Sequence, residues 1–177
     1  MTAKFGNFVA AERKVELKKV VTNAARQFRS TTAPKDMGDG FFATFASQTE
    51  AVDFAIVVLQ HLPDVNKNVD RPELEIHLRV AVTFGPLTVD PVGERQGDAA
   101  NLCARIEKMA EDDLVVADDG MSPKEFAQLA TDRLLVSGDV RDGLSDKYRV
   151  TYVGNLAPTN TRRPLAVVAI AWPAFPP

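Results

Sequence analysis

With 177 residues, 45% apolar and 25% charged, the chain has the make-up of one folded domain (1–177), large enough for a full hydrophobic core. A formal charge of -3 and a pI near 5.4 leave no basic surplus to neutralise phosphates, which argues against nucleic acid as a partner. Cys103 is the only cysteine, so no internal disulfide can form, and a reducing, cytoplasmic setting without membrane attachment is expected.

In chain order, an amphipathic helix is predicted over 11–28. Leu17, Val20, Val21, Ala24 and Phe28 recur at spacings of three and four, with Glu12, Lys14, Lys18 and Lys19 on the other side. After the break at Ser30–Pro34, Lys35 to Phe45 reads as a hairpin with a Gly38-Asp39-Gly40 tip and a strand from Phe41 to Phe45. A second helix spans 48–62, started by the capping-box pair Ser47 and Glu50 and ended by Pro63-Asp64. Strict alternation from Glu73 to Val82 predicts a ten-residue strand, with Leu74, Ile76, Leu78, Val80 and Val82 on one face. Gly85-Pro86 ends it, and Leu87–Val89 is a candidate hairpin arm.

A helix from about Ala99 to Ala110 would bury Leu102, Cys103, Ile106, Met109 and Ala110. A short strand at 114–117 and a brief helix from Pro123 to about Ala130 follow, the helix opened by the Ser122/Glu125 pair. Strands at 133–136, 148–153 and 165–171 close the chain. Strands and helices alternate without a Gly-rich phosphate loop, which predicts an α+β fold, mainly antiparallel, with helices on one sheet face.

The tip at 38–40 carries the first chemical signal. Two glycines allow a tight turn and leave the Asp39 carboxylate at a strand end, where a hard cation such as Mg²⁺ and a phosphate behind it can be met. Taken alone, it is also an ordinary hairpin turn with a solvated aspartate. His61 and His77, the only histidines, have no second ligand at metal spacing and read as structural.

Two stretches together resemble one family. Lys35-Asp36-Met37-Gly38-Asp39-Gly40 is similar to the Lys-Thr-x-Gly-Asp-Gly hairpin of class III nucleotidyl cyclases. Gly97-Asp98-Ala99-Ala100-Asn101-Leu102-Cys103-Ala104-Arg105 is similar to their Gly-x-x-Val-Asn-x-Ala-x-Arg helix, and the strand ending Val82–Pro86 sits between them as in the family. The matching region runs from about 11 to 171.

The resemblance implies a ferredoxin-like cyclase domain that works as a dimer and converts ATP to cyclic AMP and pyrophosphate with Mg²⁺ or Mn²⁺. It implies Asn101 as the residue that orients the ribose and Arg105, one turn on, as the cation facing the α-phosphate. Asp39 would be a metal ligand, Lys35 and Glu94 the base readers, and Arg162 or Arg163 the triphosphate cation. GTP and pyrimidine triphosphates stay open as substrates. The family's first strand, Phe-x-Asp-Ile, carries the other metal aspartate. Here the candidate is Phe5-Gly6-Asn7-Phe8, with Asn7, a neutral and weaker ligand, in that place. The first strand is therefore expected to be degenerate or truncated. The chain reads either as a weakly active homodimeric cyclase or as an inactive, nucleotide-binding partner beside a metal-competent chain.

Overall fold

The computed structural model describes residues 2–90, 95–115, 119–129, 131–157 and 164–172, with side chains from residue 11 onward. The described residues form two compact units, one up to His77 and one over Leu78–Trp172.

The first unit opens with helix α1 (Thr2–Gln27). Its inner stripe is Leu17, Val21, Ala24 and Ala25, all buried, as the three-and-four spacing requires. The helix starts well before residue 11, so Phe5–Phe8 is helical, and the family's first strand, expected to be degenerate or truncated, is not formed around Asn7. Helical hydrogen bonding satisfies the backbone there.

A short hairpin follows, β1 (Lys35–Asp36) and β2 (Phe41–Phe42), paired Lys35 with Phe42 and Asp36 with Phe41. The expected strand to Phe45 is cut to two residues. Helix α2 (Gln48–Gln60) begins where the capping pair placed it, with Ser47 Oγ accepting from Glu50 N at 3.2 Å. It buries Val52, Ala55, Val58 and Leu59. Pro63 does not end the helical run; it sits in the first turn of α3 (Leu62–Asn66), where a missing N–H costs nothing.

The expected ten-residue strand over 73–82 is cut to four residues. Residues 72–74 form a 3-10 turn, and only β3 (Arg79–Val82) is a strand. The Asn66 amide explains the difference: Ile76 N donates to its Oδ1 and its Nδ2 donates to Ile76 O, both at 2.9 Å. A side chain thus takes the place of a neighbouring strand and satisfies that backbone.

The second unit holds a five-stranded sheet in the order β3-β7-β9-β8-β6, formed with β6 (Leu114–Val115), β7 (Arg133–Ser137), β8 (Arg149–Leu156) and β9 (Leu165–Ala171). Only the β3–β7 pairing is parallel. The α+β class and the mainly antiparallel sheet are as expected. The arm at 87–89 pairs not with β3 but forward, as β4 (Thr88–Val89) with β5 (Arg95–Gln96).

Helix α4 (Asp98–Lys108) follows β5, and α5 (Pro123–Ala127) is started by the predicted Ser122–Glu125 capping box. A short α6 (Gly138–Asp142) follows β7 directly. The core joins Ile106, Met109, Leu114, Phe126, Leu135, Val153, Leu156 and Val167. Of the expected buried side of α4, Ile106 and Met109 are buried, Leu102 and Cys103 half-buried, and Ala110 exposed.

Candidate functional site

The candidate residues fall on two structures, the β1–β2 hairpin of the first unit and α4 of the second.

In the hairpin, Met37 N donates to Gly40 O at 2.9 Å, which closes the turn over Gly38 and Asp39. Gly38 takes φ 97°, a value that favours glycine at the first central position of such a turn. Asp39 is exposed at the tip, and Lys35 is half-buried on β1 opposite Phe42.

The neighbouring carboxylate, Asp36, is engaged. Lys14 Nζ of α1 donates to Asp36 Oδ1 and to Gly38 O, both at 2.7 Å, and Gly38 N donates to the same Oδ1 at 2.9 Å. The Lys14 bond, then the Gly38 N–H, hold the Asp36 carboxyl below its ordinary value. Among the described residues no three His, Cys, Asp or Glu side chains come together as a metal-binding group. A two-metal centre needs several carboxylate oxygens, and among the described residues the hairpin brings together only Asp39 and the engaged Asp36.

Helix α4 is fixed far more deeply. Gly97, its N-cap, has φ 150°, and a Cβ there would lie 2.8 Å from Pro86 O. Only glycine lets the helix start this close to the turn after β3. Thr83 Oγ1 donates to Ala99 O at 2.8 Å, and Cys103 Sγ to Ala81 O at 3.3 Å, fastening the helix to the end of β3. Burial pushes the Cys103 thiol up to about 11, with Glu107 adding to it against the Thr83 hydroxyl, so this cysteine packs and does not react.

At its other end, Arg133 from β7 donates to Met109 O at 2.6 Å and Glu107 O at 3.1 Å while lying over the Phe126 ring at 5.0 Å. It supplies a cation and donors to the bare carbonyls of a helix C-terminus. Arg133 is buried, and desolvation, then the nearby Arg79, lower its pKa from the ordinary value, with Glu107 opposing.

On this platform Asn101 is exposed and Arg105, one turn later, is half-buried. Arg105 Nη2 donates to Ala157 O at 2.6 Å, just past the end of β8. One of the five guanidinium N–H donors is used there, which fixes where the fork lies. The helix therefore presents an amide and an anchored cation one turn apart, a pair suited to hold a hydroxyl and a developing phosphate charge.

Solved structures are similar to this chain in fold. An adenylate/guanylate cyclase/hydrolase from Silicibacter pomeroyi is 22% identical and matches 92% of this chain and 84% of its own, with a TM-score of 0.69. The adenylyl cyclase CyaB from P. aeruginosa, 15% identical, matches 93% and 81% with a TM-score of 0.62. Adenylate cyclases from Trypanosoma brucei in their monomeric state, 16% identical, match 93% and 79%, also at 0.62. This chain has the adenylate/guanylate cyclase fold. No protein-family model matches it. A putative adenylate cyclase 3 of Rhizobium meliloti (strain 1021) is 36% identical over 88 residues, 49% of this chain and only 14% of that relative's length. The class III cyclase likeness read from two motifs thus extends over most of the chain.

Within this cyclase fold, Asn101 and Arg105 share one helix, and Lys35 and Asp39 share one hairpin. Asn7 lies in α1. Glu94, Arg162 and Arg163 lie outside the described residues. Sequence reasoning missed Lys14 and Arg133. Lys14 looked like one of several solvated lysines, and its contact spans 22 positions. The one available signal for Arg133 was a charge opening an otherwise apolar strand. Among the described residues no helix is long and apolar enough to cross a membrane.

Proposed function

We propose that this chain is a class III nucleotidyl cyclase-type domain that supplies the Asn101–Arg105 face to a shared active site, where ATP is converted to cyclic AMP and pyrophosphate. The observation that carries this reading is the pair itself: an exposed amide and an anchored guanidinium one turn apart on a rigid helix of the cyclase fold. In the reaction the ribose 3′-oxygen attacks the α-phosphorus, the bond to the bridging oxygen breaks, and pyrophosphate leaves. Asn101 holds the ribose in line, and Arg105 neutralises the charge that grows on the α-phosphate. Lys35 and Glu94 are the proposed base readers and Arg162 and Arg163 the triphosphate cations, with ATP favoured.

Cyclase chemistry of this class runs on Mg²⁺ or Mn²⁺. The donor set of this chain offers Asp39 beside an Asp36 already paired with Lys14. That favours a complementary role, in which a metal-competent cyclase domain provides the carboxylates and this chain the transition-state cation. A chain without such a partner would bind nucleotide with little or no turnover.

The test is cyclic-nucleotide formation from ATP, GTP, CTP and UTP with Mn²⁺, by the purified chain alone and mixed with a metal-competent cyclase domain whose own arginine is removed. Activity restored by the wild-type chain and not by Arg105→Ala supports the reading. Equal activity with both overturns it.

A further inference from the structure

We propose that the Lys14 ammonium is a tethered cation filling the acceptor site of the β1–β2 hairpin, so that this hairpin takes no divalent metal while Lys14 is present. A carboxylate oxygen and a backbone carbonyl, converging on one point, are donors of the kind hard cations choose. Here Asp36 Oδ1 and Gly38 O converge on Lys14 Nζ at 2.7 Å each.

The arrangement is built. Gly38 at φ 97° turns that stretch of backbone, its own N–H fixes the carboxylate at 2.9 Å, and the Met37–Gly40 bond closes the loop behind. Lys18, one turn along α1, adds positive potential at the same carboxylate. A second cation at this point would meet the ammonium's charge and find both acceptors in use.

Asp36 stands where the family's hairpin motif has Thr, so this chain carries its own acceptor together with its own cation. The adjacent Asp39 is then a lone exposed carboxylate, too poor a donor set to hold Mg²⁺ or Mn²⁺ alone. The inference concerns the hairpin itself and holds whether or not the chain takes part in cyclase catalysis.

Mn²⁺ binding by the full chain tests it, followed by loss of the free-ion paramagnetic resonance signal. Wild type shows no saturable binding at the hairpin. Lys14→Ala frees Asp36 Oδ1 and Gly38 O to act beside Asp39, and gains binding at least about tenfold tighter than wild type. Lys14→Ala/Asp36→Asn loses the gain. Wild type binding as tightly as Lys14→Ala, or a folded Lys14→Ala that gains nothing, overturns the proposal. Should Lys14→Ala fail to fold, paramagnetic broadening in the isotope-labelled wild-type chain decides. Amides 38–40 that stay sharp as Mn²⁺ is added support the tethered cation, and selective broadening there overturns it.

Discussion

The hairpin and the α4 platform matched known motifs about equally well as sequence, yet they are held by different physics. The hairpin has four paired residues, and its tip is fixed by one ammonium whose ion pair leaves each side chain 38% exposed. Such contacts are screened by salt and add little to stability. α4 is set by a glycine that admits no side chain, by fully buried Ile106 and by buried Arg133. Rigid placement belongs where a transition-state charge must be met to within a fraction of an ångström; adjustable polar contacts suffice at a tip.

The largest effect expected is on α4. Arg105→Ala should lower cyclic-nucleotide formation by the mixed enzyme about 10²–10³-fold while leaving the thermal midpoint near wild type. An unchanged rate would remove the functional side of the contrast.

Arg133→Ala should cost roughly 3 kcal/mol in urea unfolding, because it strands the Glu107 and Met109 carbonyls and leaves a void against Phe126. Arg133→Met, which keeps the apolar stem, should recover part of that loss.

Two glycines sharpen the comparison. Gly97→Ala drives a Cβ against Pro86 O and should cost about 2 kcal/mol or more. Gly38→Ala, with no atom within 4 Å of its Cβ, meets only the backbone preference, about 1 kcal/mol. Equal losses would mean that the platform is no tighter than the hairpin.

The smallest effect is electrostatic. The folded Asp36 carboxyl lies below its ordinary 3.8, so its contribution is complete above that value and disappears as pH falls through the lowered one. Wild type should melt slightly above Asp36→Asn at neutral pH. The difference should vanish in strong acid and shrink in high salt.

Local chemistry made several elements legible. Ser47 with Glu50 and Ser122 with Glu125 place two helix starts because a cap needs only residues three apart. The last strand, Leu165–Ala171, is found at its expected bounds. Periodicity misled where tertiary partners decided: Glu73–Val82 alternates throughout, but β7 pairs only with 79–82, and Asn66 serves Ile76. Phe5–Phe8 is helical, so the family's first strand, expected here to be degenerate or truncated, is not formed at those residues.

The sequence by itself determined the class of fold, the positions of the caps and the spacing of Asn101 and Arg105, because each depends on residues within one turn or one strand of each other. The tertiary structure alone decided that Lys14 takes up Asp36, that Ala157 O anchors Arg105, and that Arg133 closes α4. Those contacts join positions 22, 52 and 24 apart, and no local propensity encodes which distant acceptor a long cationic side chain will reach.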